Sequence, residues 1–195
     1  MIALIDYGAG NTASVSNALK SLDADYVITN TEKDICNAEK VIFPGVGEAS
    51  YTIKKLHLLN LFNLLRILKK PLLGICLGMQ VMCEKSKEGN TAGLGIIPVN
   101  TEIFDSAKVK VPHMGWNRVK IMKDNVLFKG IDDNSFFYFA NSYYVPANNF
   151  TIAEAEHDVN FSAAIQKDNF FGVQFHPEKS GEKGLQLLRN FIEVA

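Results

Sequence analysis

The chain has 195 residues, of which 47% are hydrophobic and 21% charged, proportions that are usual for a globular protein with a full core. Its formal net charge of −1 offers none of the basic excess that nucleic-acid binding usually requires, so we expect no nucleic-acid partner. No apolar run approaches the roughly 18 residues of a membrane span, so we expect no membrane partner either.

Two features of the sequence concern the compartment. The first residues carry no basic segment ahead of an apolar one, as a secretion signal would. The three cysteines are odd in number and scattered, so they do not resemble a disulfide framework. We therefore expect a cytoplasmic protein.

The first half of the chain alternates short apolar runs, glycine turns and helical patterns. The predicted elements are strands at 2–6, 25–29, 40–47 and 71–76, and helices at 11–22, 51–70 and 77–86. This alternation favours an α/β fold with a parallel sheet and helices on both of its faces. Three of the strands run into the glycine turns YGAGN, PGVG and GICLG. Since such sheets bind ligands at the carboxyl ends of their strands, we expect the functional site there.

The second half of the chain, from about residue 96, is β-rich. Strands are predicted at 118–122, 135–145, 150–156 and 161–175, the last with a hairpin turn at 167–169. A closing amphipathic helix is predicted at 181–194, with Leu185, Leu188 and Ile192 on one stripe. We expect antiparallel strands that extend the sheet or pack beside it. With no repeat, low-complexity tract or linker in the sequence, we predict a single domain over residues 1–195.

One cysteine lies at a strand end between two glycines. The segment GICLG places Cys76 after a buried strand and before a helix, which is the arrangement of a nucleophile elbow. The glycines allow close backbone approach, and the turn exposes the side chain at the sheet edge. The N–H of Leu77 and the positive end of the helix then point at the same place, where they stabilise an anion formed on a substrate. The alternative is a buried, inert cysteine, which the pentapeptide alone leaves open.

A second motif supplies the partners that a thiol nucleophile needs. In FHPEKS, His176 and Glu178 are separated by Pro177, which fixes an extended backbone. Residues i and i+2 of an extended chain point to the same side, so Glu178 can hold the imidazole of His176 from behind. An ordinary surface loop is the alternative for this segment taken by itself.

The other histidines and cysteines give weaker signals. His57 is expected on the surface of the leucine-rich helix, and His157 is expected at a polar strand end without a functional role. His113 stays open. Cys36 and Cys83 have no companion in the sequence. These spacings fit no metal site, and no phosphate loop or dinucleotide fingerprint is present, so we expect neither a metal nor a cofactor.

Five segments in one order identify a family resemblance. DYGAGN, PGVG, GICLGMQ, VPHMGWN and FHPEKS together resemble the class I (triad) glutamine amidotransferases, and within them the glutaminase subunits of imidazole glycerol phosphate synthase, which act in histidine biosynthesis. The resemblance covers residues 2 to about 194. It implies a three-layer, flavodoxin-like α/β fold with a mixed, mostly parallel sheet, and the hydrolysis of L-glutamine.

The resemblance also implies roles for individual residues. Cys76 matches the nucleophile, His176 the base and Glu178 the orienting acid. The positions that match the oxyanion site are Leu77 and the turn residues Gly45, Val46 and Gly47. Those that match the glutamine pocket are Gln80, Asn141, Ser142 and Tyr143.

A partner subunit follows from the same resemblance. The glutaminases of this family form a heterodimer with a (β/α)₈-barrel cyclase, which receives ammonia internally. The cyclase makes imidazole glycerol phosphate and an aminoimidazole carboxamide nucleotide. Our candidates for the contact surface are Asn11, Trp116 and Lys179, although Trp116 fits a half-buried core position nearly as well and Lys179 fits a solvated charge. The glycines of PGVG suggest a peptide that turns over when the partner binds.

Three alternatives remain open at this stage. Asn141 occupies a position where the family usually has histidine, which leaves room for a paralogue that feeds ammonia to another acceptor, such as a surface-sugar amidotransferase. A cysteine hydrolase of esters or peptides would use the same elbow without PGVG or Gln80. A regulatory module with a decayed site is disfavoured, because all three triad positions are intact.

Overall fold

The computed structural model describes residues 1–9 and 11–193. The strands in chain order are β1 (Ile2–Ile5), β2 (Tyr26–Thr29), β3 (Lys40–Gly45), β4 (Leu72–Cys76), β5 (Cys83–Ser86), β6 (Thr91–Ala92), β7 (Ile97–Asn100), β8 (Glu102–Ile103), β9 (His113–Ile121), β10 (Ser135–Asn141), β11 (Tyr143–Tyr144), β12 (Thr151–His157), β13 (Val159–Lys167) and β14 (Phe170–Val173). The helices are α1 (Thr12–Ser21), α2 (Glu32–Asn37), α3 (Ala49–Leu58), α4 (Leu61–Arg66), α5 (Leu77–Val81) and α6 (Gly181–Glu193).

Nine of these strands form one mixed sheet in the order β10-β9-β12-β13-β14-β4-β3-β1-β2. The pairings β2-β1, β1-β3, β3-β4 and β4-β14 are parallel. The remaining pairings, from β14 through β13, β12 and β9 to β10, are antiparallel. The mixed α/β sheet predicted from the sequence is thus confirmed, with the antiparallel strands extending the parallel sheet at one edge.

Helices cover both faces of the parallel strands and make three layers. Because side chains alternate along a strand, Leu4 of β1 joins one buried cluster and Ile5 joins the other. The first cluster contains side chains of α1 and α6, such as Leu19 and Phe191. The second contains side chains of α2 to α5, such as Leu56. Within the described residues, no helix is long and apolar enough to cross a membrane.

Two predicted helices are shorter than expected. The helix predicted at 51–70 is divided into α3 and α4, because Asn60 between them adopts a left-handed conformation with φ 57° that interrupts the helix. The helix predicted at 77–86 ends at Val81, and Cys83–Ser86 is strand β5. That strand pairs with β7, so a contact between distant segments overrides the local helical pattern.

Other elements differ from the prediction in smaller ways. The helix α2 was not predicted, although the Thr31 side chain caps it by accepting from the Asp34 amide. The predicted hairpin turn is confirmed at Asp168, with φ 52°, between β13 and β14. In α6, Leu188 is buried as predicted, whereas Leu185 and Ile192 are only partly buried. Residue 194 of the predicted helix lies outside the described residues.

Candidate functional site

The turn from β4 into α5 has the geometry of a nucleophile elbow. Cys76 is the last residue of β4, and its backbone has φ 52° and ψ −108°. A non-glycine residue with positive φ is held there only when the surrounding structure fixes it, and such strain concentrates at functional sites. The strand, sharp turn and helix predicted for GICLG are therefore confirmed, and the nucleophile role of Cys76 stays a prediction.

The glycines around Cys76 are required by direct backbone packing. A Cβ atom at Gly78 would lie 2.1 Å from the Phe43 carbonyl oxygen of β3. A Cβ atom at Gly74 would lie 2.7 Å from the backbone of Gly78, and one at Gly45 would lie 2.3 Å from the Gly78 amide nitrogen. The ends of β3 and β4 thus touch the first turn of α5 backbone to backbone, and Gly45 pairs directly with Cys76.

We expect Gly78→Ala to destabilise the protein by about 3 kcal/mol, because the added Cβ meets a carbonyl oxygen that cannot rotate away. Urea unfolding measures this loss. Gly95→Ala is the matched control, since Gly95 has open space around its Cβ position but a φ of +65°. Gly95→Ala is therefore expected to lower the free energy of unfolding by about 1 kcal/mol, from backbone conformation alone and without a clash. Equal losses in the two variants would contradict the packing argument.

His176 and Glu178 follow the neighbouring strand β14. Because β14 runs parallel to β4, with Val173 opposite Ile75, both chains leave the sheet at the same edge. The Nδ1–H of His176 donates to Glu178 Oε1 at 2.8 Å, and both side chains are buried. The backbone N–H of His176 is held by the carbonyl of Tyr138 on β10 at 2.8 Å.

The charge on the His176 imidazole is stabilised by its neighbours. Burial by itself lowers the pKa of His176, but hydrogen bonding and charge interactions with Cys76 and Glu178 outweigh burial and raise that pKa to about 10. The imidazole of His176 is therefore suited to take up and hold a proton beside the sulfur. Its Nε2 is left free to face the thiol, since Nδ1 is occupied by Glu178.

A cavity of about 230 Å³ opens over this group. Its lining contains most of the residues predicted for catalysis, for the oxyanion and for glutamine binding: Val46, Gly47, Cys76, Leu77, Gln80, Asn141, Ser142, Tyr143 and His176. Of the predicted set, Gly45 lies beneath the cavity in β3 and Glu178 lies behind His176. The structure therefore brings the predicted residues together at one edge of the sheet.

Two polar side chains are fixed against the same carbonyl of the cavity wall. Gln80 Nε2 donates to the Tyr143 carbonyl at 2.8 Å, and Asn141 Nδ2 donates to it at 2.9 Å. Asn141 Oδ1 is buried without a hydrogen-bond partner among the described residues. Both amide groups are consequently oriented, and they shape the wall that a substrate would meet.

Glu88 also lines the cavity, although no sequence motif predicts it as a site residue. Its Oε2 accepts from the Ala49 amide at 2.8 Å, and burial raises its pKa. A half-buried carboxylate on a cavity wall can pair with an ammonium group of a ligand. Nothing in the segment KEGN distinguishes this glutamate from an ordinary surface residue.

His113 is a structural residue beside the site. It stacks on His157 with ring centroids 4.2 Å apart, and Asn117 Nδ2 lies 3.3 Å from its Nε2. Burial and then the neighbouring His157 lower the pKa of His113 to about 4, so the ring is neutral near pH 7. His157 is the last residue of β12, which agrees with the polar strand end predicted for it, and its ring belongs to this stack and donates to the Lys110 carbonyl at 2.9 Å. His57 is exposed on α3, as predicted, and its ring stacks on that of Phe62.

The three candidate partner contacts lie side by side next to the triad. Asn11 Nδ2 donates to Glu178 Oε1 at 3.5 Å. The ammonium of Lys179 lies 6.0 Å from the centre of the Tyr138 ring, which in turn packs edge-on against Trp116. Trp116 is 56% exposed, so it is not the half-buried core aromatic considered from the sequence.

No group of three metal-ligating side chains occurs in the part of the chain that the structure describes.

Comparisons with known proteins agree with this geometry. The family model described as glutamine amidotransferase class-I matches residues 3–194. The chain is 49% identical to the imidazole glycerol phosphate synthase subunit HisH of Bacteroides fragilis (strain YCH46) over 195 residues, which cover 99% of each chain. It is 47% identical to the subunit of the same name from Bacteroides thetaiotaomicron, again over 99% of each chain. A crystal structure of a glutamine amidotransferase superposes with a TM-score of 0.77 at 16% identity, covering 99% of this chain and 98% of that one, and this likeness concerns the fold.

Proposed function

This chain belongs to the class I glutamine amidotransferase family, and we propose that it is the glutaminase subunit of an imidazole glycerol phosphate synthase. The observation that carries the proposal is that Cys76 and His176 line one cavity while Glu178 holds His176 from behind. Relatives that bear the synthase name match this chain over nearly its whole length. The match over residues 3–194 supports one glutamine amidotransferase domain.

Glutamine binds in the cavity with its side-chain amide over Cys76. Gln80 and Asn141, both fixed by the Tyr143 carbonyl, orient the substrate from the wall. Glu88 pairs with the α-ammonium group, because it is the carboxylate that the cavity wall presents. Binding at both ends of the substrate holds the amide carbon within reach of the sulfur, which lowers the entropic part of the barrier.

His176 takes up the thiol proton, as its raised pKa favours, and Cys76 then attacks the amide carbon as the thiolate. Glu178 holds the imidazolium that forms. His176 then gives its proton to the departing ammonia, which leaves a γ-glutamyl thioester on Cys76. Water activated by His176 hydrolyses this thioester and releases glutamate.

The oxyanion of each tetrahedral intermediate is stabilised by backbone N–H groups of Leu77 and of the turn Gly45–Val46–Gly47. Loss of one such donor raises the activation barrier by about 2.7–4 kcal/mol. We propose that an amide of this glycine-containing turn points away from the oxyanion at rest and turns towards it only when the partner binds.

The partner subunit docks over the surface formed by Asn11, Trp116 and Lys179 and takes the ammonia before water protonates it. We propose a (β/α)₈-barrel cyclase in a heterodimer, which uses ammonia to make imidazole glycerol phosphate and an aminoimidazole carboxamide nucleotide. The exposed ring of Trp116 beside the charged Lys179 supports a protein contact at this edge of the sheet. The three free cysteines fit the reducing cytoplasm.

The decisive experiment measures glutaminase activity of the chain alone, with the cyclase subunit, and with cyclase plus its nucleotide substrate. We expect activity to rise at each step. Activation by a different acceptor enzyme and not by the cyclase would support the paralogue that Asn141 left open. Hydrolysis of esters or peptides by the chain alone, without glutaminase activity, would overturn the proposal.

Glu88→Gln tests the pocket. The substitution keeps the shape and the hydrogen bond to the Ala49 amide but removes the negative charge opposite the α-ammonium. We expect the KM for glutamine to rise about tenfold or more with little change in kcat, because binding is lost equally in ground and transition states. Steady-state kinetics of the activated complex measure this. Glu84→Gln, on the exposed face of β5, is the matched control and is expected to leave KM unchanged.

A further inference from the structure

Gln174 is a completely buried polar side chain next to the nucleophile. It lies two residues before His176, and its backbone amide donates to the Ala163 carbonyl at 2.8 Å. Its side-chain Nε2 lies 3.6 Å from the Cys76 Sγ, within the range of a hydrogen bond to sulfur. The catalytic steps described above assign no role to this amide.

A chain of hydrogen bonds decides which end of the Gln174 amide faces the sulfur. The Tyr143 carbonyl can only accept, so the atom of Gln80 beside it, at 2.8 Å, is the donor Nε2. The second N–H of that same nitrogen points at Gln174 Oε1, 3.0 Å away. Since its oxygen is used by Gln80, the nitrogen of Gln174 is the end that faces Cys76.

We propose that Gln174 is a positioning residue for the glutaminase reaction, whose N–H holds the Cys76 sulfur and stabilises it as the thiolate. This inference rests on the function proposed above. It extends the catalytic group by a relay of three members that begins at the Tyr143 carbonyl, passes through Gln80 and ends at the Gln174 amide.

The chemistry follows from the difference between a thiol and a thiolate as acceptors. A hydrogen bond to an ionised acceptor is roughly twice as strong as one to a neutral acceptor, so the N–H of Gln174 favours the anionic sulfur. Cys76 also stands in a strained backbone conformation, and a fixed donor keeps its side chain directed at the cavity. Because Gln80 lines that cavity, the relay also joins the substrate pocket to the nucleophile.

The test is the pH dependence of alkylation of Cys76 by iodoacetamide, read on the peptide that contains this residue so that the other two cysteines do not contribute. For Gln174→Met, which keeps the size but removes the donor, we expect the midpoint of the alkylation profile to rise by about one pH unit. For Gln174→Glu, which presents an acceptor to the sulfur, we expect a larger rise.

Gln166→Met is the matched control. Gln166 also uses both ends of its amide, accepting from Asn125 and donating to the Asp168 carbonyl, but it lies on β13 away from the cavity. We expect this variant to lose stability without a change in the alkylation midpoint. If Gln174→Met does not fold, Gln80→Met serves instead, because releasing the Gln174 amide from Gln80 is expected to shift the midpoint in the same direction.

Glutaminase kinetics give a second measurement. Gln174 does not line the cavity, so Gln174→Met is expected to lower kcat about tenfold while the KM for glutamine is unchanged. Wild-type alkylation midpoints in Gln174→Met and Gln80→Met would overturn the inference. Absence of glutaminase activity in the wild-type complex would instead overturn the proposed function, and the alkylation profiles would still decide whether Gln174 acts on the sulfur.

Discussion

Replacement of Cys76 by Ala is expected to abolish glutamine hydrolysis and to leave synthesis from added ammonium salts intact. The sulfur forms the only covalent bond to substrate in the proposed reaction, so its loss lowers the glutamine-dependent rate by at least about 10³-fold. Ammonia supplied from solution bypasses the glutaminase step, because the partner subunit carries out the second reaction. Synthase assays of the complex, with glutamine or with ammonium chloride as nitrogen source, measure both rates.

Cys83→Ala is the control for this prediction. Cys83 is also fully buried, and burial raises the pKa of its thiol to about 12, so it takes no part in chemistry near pH 7. We expect this variant to keep glutamine-dependent activity and to lose only a little stability. Glutamine-dependent synthesis by Cys76→Ala at the wild-type rate would remove this thiol from the mechanism.

The triad could be predicted from the sequence because each half of it is local. The elbow needs only the glycines beside Cys76, which form one pentapeptide, and the proline between His176 and Glu178 sets their shared direction. What joins the two halves is the parallel pairing of β4 with β14. Alternation of strands and helices predicts such a sheet but not its strand order, so the family resemblance supplied what the periodicity left open.

The residues that sequence reasoning missed act through distant contacts. Glu88 reaches the cavity because Cys83–Ser86 pairs as a strand where a helix was predicted, and this pairing carries the following turn over the elbow. Gln174 was read as part of a strand, and only the bonds to Gln80 and Cys76 distinguish it from other buried positions. Both cases depend on which segments meet in space, and no local pattern encodes that.

Asn141 illustrates a substitution whose consequence the sequence overestimated. Because asparagine has no titrating ring, the sequence leaves another acceptor substrate open. In the structure, Asn141 Nδ2 donates to the same Tyr143 carbonyl that accepts from Gln80 Nε2. Its contribution here is to fix the wall of the cavity, and this needs a donor and not a titrating group. The similarity to synthase subunits over nearly the whole chain therefore weighs more than this single position.

Glu178→Gln is expected to lower kcat by about 10²- to 10⁴-fold while the fold is retained. In the wild type, the Glu178 carboxylate accepts from His176 Nδ1 at 2.8 Å. This bond keeps a proton on Nδ1 and leaves Nε2 to accept the thiol proton. A glutamine amide can offer an N–H to Nδ1, which favours the tautomer with its proton on Nε2, and this tautomer cannot accept the thiol proton. Glu182→Gln, an exposed substitution of the same kind in the first turn of α6, is expected to keep full activity.

The same variant changes how stability depends on pH, and the direction follows from the raised pKa of His176. The folded value of about 10 exceeds the unfolded value of about 6.5, so the charged imidazole stabilises the fold fully below pH 6.5. That stabilisation disappears as the pH rises towards 10. Glu178→Gln removes one of the two interactions that hold the charge, so we expect it to be less stable than the wild type at pH 6 and to approach it near pH 10. Urea unfolding at pH 6, 8 and 9.5 measures this convergence, and a constant difference across the range would show that Glu178 does not act through the charge of His176.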